Sequence, residues 1–287
     1  MNPTASPAAA SGTFALGAAT PIHRLGLGAM RITGPGVWGP PADHEESIRV
    51  LRRAVELGVN FIDTADSYGP EVSENLIREA LHPYDGITVA TKGGFLRPGP
   101  GKWIVDGNPE RLRRAAEASL RRLGVESLDL YQLHRIDERF PLEDQVGVLT
   151  ELQEQGKVRH IGLSETTVDE VVAARNVAEI VSVQNLYNVT ERKWEDVLEY
   201  CEREGIAFLP WYPIAVGKLA ERDGPLGSVA VEVGATPVQV ALAWLLKRSP
   251  VMVPIPGTGS VAHLEENLAA AHVELDDEQF HRIEEAL

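Results

Sequence analysis

The chain has 287 residues, 44% of them apolar, which is enough material for one large domain with a substantial core. Its formal net charge is −15, and its 27 lysine and arginine residues are interspersed with acids, so the basic stripe that a nucleic acid needs is missing. No apolar run approaches the roughly 20 residues that span a bilayer. Cys201 is the only cysteine, which excludes an intrachain disulfide. We therefore expect a cytoplasmic protein that binds neither nucleic acid nor membranes.

The first residues are rich in proline, alanine and serine and lack the charged flank and apolar stretch of a signal peptide. We expect residues 1–12 to be a disordered tail and residues 13–287 to form a single domain. Two short runs around Gly17 to Pro21, Thr13–Leu16 and Ile22–Arg24, predict a small hairpin at its start.

Eight short apolar runs follow in chain order, and they are continuous rather than alternating, which is typical of parallel strands covered on both faces. The predicted strands are Arg24–Thr33, Val59–Thr64, Gly86–Thr91, Leu128–His134, Arg159–Ser164, Ile180–Leu186, Ile206–Trp211 and Val251–Ile255.

Helical patterns separate most of these runs, and several begin with a capping residue followed by proline, as at Asn108-Pro109 and Thr236-Pro237. The predicted helices are Asp43–Leu57, Arg111–Leu123, Pro141–Gln155, Thr167–Glu179, Glu191–Glu204, Thr236–Arg248, Ser260–Ala271 and a C-terminal Asp276–Leu287. Alternating strands and helices with short joins indicate a parallel sheet. Eight strands favour an α/β fold closed into a (β/α)8 TIM barrel.

Polar residues end three neighbouring strands of this barrel. Asp63 ends the second strand and Tyr68 follows it, while Lys92 and His134 end the third and fourth. Because active sites of such barrels lie at the carboxyl ends of the strands, the four side chains should converge on one rim. Each alone has an ordinary explanation: a turn acid, a rim aromatic, a solvated lysine or a core imidazole. Their joint placement favours a catalytic site without a metal.

These residue types suit the reduction of a carbonyl group, which needs a hydride at carbon and a proton at oxygen. A free phenol titrates near a pKa of about 10, and a nearby ammonium lowers that pKa by stabilising the phenolate. We expect Lys92 to act in this way on Tyr68, the proton donor. Asp63 should keep Lys92 charged, and His134 should polarise the substrate oxygen.

The motifs "NFIDTADSYG", "VATKGG" and "DLYQLHR" that contain these residues resemble the catalytic tetrad of the aldo-keto reductase superfamily. The resemblance covers nearly the whole chain after the N-terminal tail and implies an enzyme that moves a hydride between a nicotinamide dinucleotide and a carbonyl carbon. It also implies a small-molecule carbonyl substrate and, by analogy with relatives of this size, a monomer. The overall pattern is similar to the branch that includes pyridoxal reductases.

The same resemblance implies contacts to the nicotinamide end of the cofactor. "GLGAMR" places Gly28, Ala29 and Met30 under it, and Asp63 lies beside it. In "IGLSE" Ser164 matches a carboxamide ligand, although Glu165 stands where the family usually has asparagine. Further matches are Gln184 as an amide partner, Trp211 as the stacking aromatic, and Ile214, Gly217 and Leu219 around the pyrophosphate.

"PIPGTGSVAHLEENL" matches the adenosine-phosphate segment, where a loop leads into a helix whose N-terminal N–H groups could bind phosphate. The implied contacts are Gly257, Thr258, Ser260, His263, Glu266 and Asn267. A strong cation for the 2′-phosphate is missing from this segment. We expect NADPH (NADP+) as the cofactor, because most of the family uses it, with NADH possible.

Aromatic residues of the rim loops predict the substrate pocket: Trp38, Phe95 and Trp103, together with Tyr68 and His134. Such a pocket suits an apolar or aromatic aldehyde. Two other functions stay open from the sequence. One is a non-catalytic, cofactor-binding regulatory subunit on the same fold, and the other is an unrelated barrel enzyme that uses Lys92 as a Schiff-base amine.

Overall fold

Eleven strands and ten α-helices lie along the residues that the structure, a computed structural model, describes: 6–17, 20–214 and 226–285. The strands are β1 (Thr13–Leu16), β2 (Thr20–His23), β3 (Leu27–Gly28), β4 (Phe61–Asp63), β5 (Thr88–Gly93), β6 (Phe95–Gly99), β7 (Lys102–Val105), β8 (Leu128–Leu133), β9 (Val158–Ser164), β10 (Ile180–Gln184) and β11 (Ala207–Phe208). The helices are α1 (His44–Glu56), α2 (Val72–Leu81), α3 (Pro109–Leu123), α4 (Leu142–Glu154), α5 (Val168–Arg175), α6 (Glu195–Glu204), α7 (Gly227–Val233), α8 (Pro237–Arg248), α9 (Val261–Ala269) and α10 (Asp277–Glu285).

Seven of the strands form one parallel sheet in the spatial order β3-β4-β5-β8-β9-β10-β11. The order follows the chain once the two antiparallel hairpins, β1-β2 and β6-β7, are set aside. Helices connect most neighbouring strands, as parallel pairing requires. The predicted (β/α)8 class is confirmed.

Backbone hydrogen bonds of residues 251–257 join the two edges of this sheet. On one side Phe208 N donates to Val251 O at 2.9 Å, and on the other Gly28 N donates to Pro256 O at 3.2 Å. The segment takes the place of the eighth strand between β11 and β3, although only isolated bridges are formed there. It therefore closes the sheet into a barrel.

Two apolar clusters lie on the two faces of the sheet. The larger one packs the helices against the outside of the strands. The smaller one fills the inside and includes Phe61, Leu130 and Val253. Leu16 and Ile22 of the β1-β2 hairpin are fully buried in this inner cluster. The predicted hairpin therefore plugs the N-terminal end of the barrel and leaves the carboxyl ends of the strands for a site.

Helix caps follow the sequence signals closely. Asn108 Oδ1 accepts from the N–H groups of Glu110 and Arg111, Pro109 takes the first helical position, and Gly124 ends α3 with a φ of +74°. Thr236 forms a reciprocal capping box at the start of α8. These local contacts satisfy helix-end N–H groups, which is why helix starts were readable from sequence.

The expected disorder of residues 1–12 is wrong for Pro7–Ser11, which form a 3-10 helix. Ala8 is fully buried and its N–H donates to Leu57 O at 3.1 Å. Ser11 Oγ accepts from Leu25 N at 2.9 Å. Small alanine side chains let this segment pack against the end of α1, a tertiary effect that local composition does not reveal.

In the described ranges no single helix is long and apolar enough to span a bilayer. The helices α7 and α8 taken together are long and apolar enough to span a bilayer, but the chain bends by 87° between them.

Candidate active site

The carboxyl ends of β4, β5 and β8 bring Asp63, Lys92 and His134 side by side. These strands are adjacent in the sheet, in a parallel register that pairs Asp63 with Ala90 and Lys92 with Gln132. Tyr68 lies in the loop between β4 and α2, which is tied to β5 where Asp66 N donates to Lys92 O at 3.1 Å. The structure thus places the four predicted residues at one end of the barrel.

Lys92 is fully buried, and its ammonium donates to three oxygens. Nζ lies 2.6 Å from Asp63 Oδ1, 2.8 Å from Thr64 O and 3.4 Å from Tyr68 OH. Burial by itself lowers the pKa of Lys92, but the charges of Asp63 and Tyr68 and their hydrogen bonds outweigh it, so the net pKa is raised. The ammonium stays charged, as the sequence predicted.

Asp63 is held from both sides of its carboxylate. Oδ1 accepts from Lys92, and Oδ2 accepts from Gln132 Nε2 at 3.0 Å and Gln184 Nε2 at 2.9 Å. Side chains from β5, β8 and β10 therefore fix the orientation of this one buried acid. Gln132 was not among the predicted site residues, although it lies two positions before His134 and points to the same side of the strand.

The pKa of Tyr68 is raised, and burial of the phenol is the largest cause. The positive charges of Lys92 and Arg135 and the hydrogen bond from Lys92 lower it, but they offset only part of the effect of burial. The expectation that Lys92 brings the phenol below its usual pKa is therefore wrong for the net shift. The phenol is held protonated, the state that can donate a proton.

His134 is buried, and the pKa of its imidazole lies well below the usual value. The main cause is burial, and the positive charges of Lys92 and Arg135 add to it. The ring packs edge-to-face against Phe95 at 4.7 Å and Tyr68 at 6.0 Å between centroids. A neutral imidazole held in this way can donate one hydrogen bond without carrying a charge.

A cavity of about 590 Å³ opens above these residues. Predicted site residues that line it are Gly28, Met30, Asp63, Tyr68, Phe95, Trp103, His134, Ser164, Gln184, Trp211, Ile214 and Gly257. Further lining residues that the sequence did not single out are Arg31, Val37, Arg135, Tyr212, Pro213 and Ile255. Most of these directly follow or precede a predicted residue in the chain, which was the signal that could have found them.

Other predicted residues do not line this cavity. Ala29 is fully buried and its carbonyl accepts from Ser73, while Trp38 stands outside and its neighbour Val37 takes the place. The predicted adenosine contacts lie on the loop before α9 and on α9 itself: Thr258, Ser260, His263, Glu266 and Asn267. Gly217 and Leu219 are outside the described residues.

The N-terminus of α9 is not the set of free N–H groups that the sequence suggested. Val261 N donates to Glu46 Oε1 of α1 at 3.0 Å, and Ser260 N donates to Thr258 Oγ1 at 3.1 Å. The hydrogen bond from Val261 and the pairing with Arg49 lower the pKa of Glu46. A carboxylate thus already occupies part of the predicted phosphate site.

Glu165 has a clear role in the site, which its departure from the family pattern did not reveal. Its Oε1 accepts from the indole Nε1 of Trp211 and from Leu186 N, both at 2.6 Å. Its backbone has a φ of +55°, in the left-handed region. The carboxylate therefore holds the Trp211 ring against the cavity from a strained backbone position.

Residues 24–287 match the Aldo/keto reductase family, and the chain belongs to it. An uncharacterized oxidoreductase of Schizosaccharomyces pombe is 53% identical over 264 residues, covering 92% of this chain and 86% of that protein. The pyridoxine 4-dehydrogenase of Escherichia coli K12 is 46% identical over 275 residues, covering 93% of this chain and 96% of that protein.

Solved structures agree with this assignment. The crystal structure of an aldo-keto reductase from Klebsiella pneumoniae in complex with NADPH matches with a TM-score of 0.80 at 26% identity, covering 95% of this chain and 94% of that chain. The chain is therefore an oxidoreductase enzyme with the barrel fold of its relatives.

Proposed function

We propose that this enzyme interconverts a carbonyl compound and its alcohol, using a nicotinamide dinucleotide, with Tyr68 as the proton donor in reduction. The observation that carries the proposal is the buried contact chain from Asp63 through Lys92 to the phenol of Tyr68, beside a cavity large enough for a small ligand. Asp63, Lys92 and His134 are the other catalytic residues of this proposal.

The cavity fits a nicotinamide ring on the side of Tyr68. Trp211 offers an aromatic face that Glu165 holds in place, and Ser164 lines the same wall. Gln184 gives its amide nitrogen to Asp63, and in the described residues its Oε1 has no hydrogen-bond donor, so it can accept from a carboxamide. A reduced nicotinamide bound there supplies the hydride. We propose Gly28, Met30 and Ile214 as its apolar surroundings.

NADPH is the proposed cofactor because a structural relative was solved with it. The proposed adenosine contacts are Gly257, Thr258, Ser260, His263, Glu266 and Asn267. Arg31 supplies a cation that the sequence analysis did not find. It lies beside the loop before α9, because a Cβ added at Gly257 would lie 3.5 Å from Arg31 Cγ. NADH is the alternative, and the Glu46 carboxylate at the N-terminus of α9 favours it.

The protein's own residues act in a defined order in this proposal. Neutral His134 donates a hydrogen bond to the carbonyl oxygen and orients it. Protonated Tyr68 gives its proton to that oxygen as negative charge develops. The ammonium of Lys92 then stabilises the phenolate, and Asp63 keeps the ammonium in place.

The proposed substrate is an aromatic aldehyde of the pyridoxal type, or the matching alcohol. Phe95 and Trp103 pack edge-to-face at 5.3 Å beside His134 and form an aromatic wall. The pyridoxine 4-dehydrogenase of Escherichia coli is a relative at 46% identity. A Schiff-base role for Lys92 is not favoured, because its three donors are already used and the group is fully buried.

Steady-state oxidation of NADPH and NADH with a panel of aldehydes, ketones and pyridoxal tests the proposal. We expect turnover with aromatic aldehydes, and a ratio of catalytic efficiencies that identifies the cofactor. A protein that binds NADPH but turns over none of these carbonyl compounds would instead be the non-catalytic subunit. A single domain over residues 13–287, a monomeric state and a cytoplasmic location stay predictions from the sequence.

A further inference from the structure

Arg135 places a guanidinium in the wall of the active-site cavity, directly after His134. Its Nη1 donates to His134 O at 2.6 Å and to Ser164 Oγ at 3.0 Å, which anchors the group beside the proposed catalytic residues. Among residues 6–17, 20–214 and 226–285, its Nε and Nη2 groups have no hydrogen-bond acceptor and it forms no salt bridge. One edge of the planar guanidinium, formed by its Nε and Nη2 N–H groups, is thus available to a ligand.

The charge around Arg135 explains why such a ligand should be negative. Burial lowers the pKa of its guanidinium, and Glu165 and Tyr68 offset only part of this effect. Glu165 is the nearby negative charge, but it forms no salt bridge with Arg135, and its Oε1 accepts from Trp211 and Leu186. Lys92 pairs with Asp63. Arg135, by contrast, is a half-buried cation that forms no salt bridge in the described residues.

The other arginines that are similarly removed from solvent have partners within the protein: Arg24 donates to three backbone carbonyls, and two further arginines pair with carboxylates. Arg122 pairs with buried Glu74, and Arg248 pairs with Glu195. Both belong to the structural framework rather than to the cavity. Arg135 differs from them in facing the cavity, which is what a substrate-binding cation requires.

Aromatic rings surround the same part of the cavity. The Arg135 guanidinium lies 5.6 Å from the centre of the Phe95 ring, and Phe95 packs against both His134 and Trp103. The charge of Arg135 also reaches the phenol of Tyr68, whose pKa it lowers. Arg135 and the proposed proton donor Tyr68 both line this cavity, so one small molecule can contact both.

We propose that Arg135 binds an anionic oxygen carried on the ring of an aromatic aldehyde substrate, either a carboxylate or an ionised phenol. This inference rests on the proposed carbonyl reduction and names its substrate class. The guanidinium recognises the ring substituent, while Tyr68 and His134 act on the aldehyde. Local positive charge in a protein with a formal net charge of −15 then selects for anionic substrates.

The test compares benzaldehyde, the three carboxybenzaldehyde isomers and pyridoxal in the wild type and in Arg135→Gln. We expect the wild type to prefer at least one carboxybenzaldehyde over benzaldehyde. Arg135→Gln should lower kcat/KM for that isomer and for pyridoxal by roughly 10- to 100-fold, mainly through KM. Any loss with benzaldehyde should be smaller than the loss with that isomer, since benzaldehyde forms no ion pair with Arg135.

Two further variants control this result. Arg135→Lys keeps the charge but not the fork, and it should recover part of the preference for the anionic aldehyde. Lys102→Gln removes an exposed cation on β7, next in the chain to the cavity-lining Trp103, and should leave that preference unchanged. Equal losses for neutral and anionic aldehydes in Arg135→Gln would overturn the inference and make Arg135 a positioning residue for His134 and Ser164.

Equilibrium binding keeps this test separate from the proposed reaction. Calorimetry with NADPH present would compare the three hydroxymethylbenzoate isomers with benzyl alcohol, which cannot be reduced. We expect at least one isomer to bind the wild type more tightly, and Arg135→Gln to lose that difference. Failure of all turnover with this binding pattern intact would refute only the proposed function. Equal binding of all four alcohols to the wild type would refute the role of Arg135.

Discussion

The two ends proposed for the cofactor are built in opposite ways. In the tetrad region, which comprises Asp63, Tyr68, Lys92 and His134, side chains from adjacent strands satisfy one another before any ligand binds. In the α9 region, residues 256–267, a carboxylate from another helix already occupies an N–H group that a phosphate could use. The first region is ready for chemistry, whereas the second must exchange a partner to bind an anion.

Burial explains why only the tetrad region is preorganised. A buried ammonium without its acid would be costly, so Asp63 must be fixed whether or not a ligand is present. The α9 region lies nearer the surface, where a carboxylate at a helix end is easily replaced. Mutations in the tetrad region should therefore affect turnover, and mutations in the α9 region should affect cofactor choice.

The largest effect is expected for Tyr68→Phe, which removes the proton donor and keeps the aromatic ring. We expect kcat to fall by about 10²- to 10⁴-fold with a reactive aromatic aldehyde, because general acid catalysis is lost. Fluorescence titration should show NADPH affinity within about twofold of the wild type, since no contact to the α9 region changes.

Tyr84→Phe is the matched control for this change. Tyr84 OH donates to Leu123 O at 2.7 Å, and Tyr84 does not line the cavity. Loss of this hydroxyl should therefore leave kcat unchanged. Near-normal turnover by Tyr68→Phe would mean that another group donates the proton. The tetrad region would then lack the proton donor that the proposed function assigns to it.

A smaller effect is expected for Glu165→Ala, which frees the indole of Trp211. A hydrogen bond to a charged acceptor contributes about 1.5–3 kcal/mol. Without it the cofactor must order the Trp211 ring as it binds, so the dissociation constant of NADPH should rise by up to roughly 10- to 100-fold. Glu165→Gln keeps an acceptor oxygen and should recover most of that affinity. Glu138→Ala, at an exposed position, serves as the control. Unchanged affinity in Glu165→Ala would show that Trp211 does not bind the cofactor.

Two acids three residues apart, one in the tetrad region and one beside it in the chain, allow a further test. Asp63 has a partner for each carboxylate oxygen, whereas Asp66 Oδ1 is buried and has no hydrogen-bond partner in the described residues. Burial and the nearby charge of Glu74 raise the pKa of Asp66 to about 8. The folded protein therefore keeps a proton on Asp66 at neutral pH, while the unfolded chain loses it.

Because the folded pKa of Asp66 lies above the unfolded one, its contribution to stability is complete at low pH. It declines as pH rises from about 4 to about 8, by at most about 1.4 kcal/mol per pH unit. Asp66→Asn should thus gain stability relative to the wild type as pH rises through this window. Urea unfolding at several pH values measures it, with Asp85→Asn as an exposed control. Parallel stability curves for Asp66→Asn and wild type would contradict the shift.

Much of the fold could be read from the sequence because its signals are local. Caps such as Asn108 and Thr236 fixed helix starts, and continuous apolar runs marked the strands. The helix α2 was not predicted, since Glu71 at its start is in the left-handed region and makes no side-chain cap. The hairpin β6-β7 was expected to be a loop, because antiparallel pairing joins residues that no simple pattern links.

The same difference between local signals and contacts of distant residues holds for the site. The tetrad could be located because each member ends or follows a strand, and strand ends of a barrel meet. The roles of Glu165 and Arg135 could not be located, since they depend on side chains that cross from one loop to another. The net rise in the pKa of Tyr68 also depends on burial, which sequence does not quantify.

The smallest effect is expected for Glu46→Gln in the α9 region. Glu46 accepts from Val261 N at the start of α9, and a 2′-phosphate approaching that N-terminus meets its negative charge. The neutral amide still accepts this hydrogen bond but no longer repels the phosphate. We expect the affinity for NADPH to rise by roughly two- to fivefold. The affinity for NADH, which has no phosphate at this position, should change little.

The ratio of the two dissociation constants, measured by fluorescence at two salt concentrations, separates this effect from a general loss of negative charge. Glu45→Gln removes the same charge from the adjacent position of α1 and should shift the ratio much less, because Glu45 has no contact with Val261. The shift in Glu46→Gln should shrink at high salt as screening increases. An identical ratio in Glu46→Gln and wild type would mean that the phosphate binds away from the N-terminus of α9. Arg31 would then be the residue to change next, since it lies beside the same loop on the cavity side.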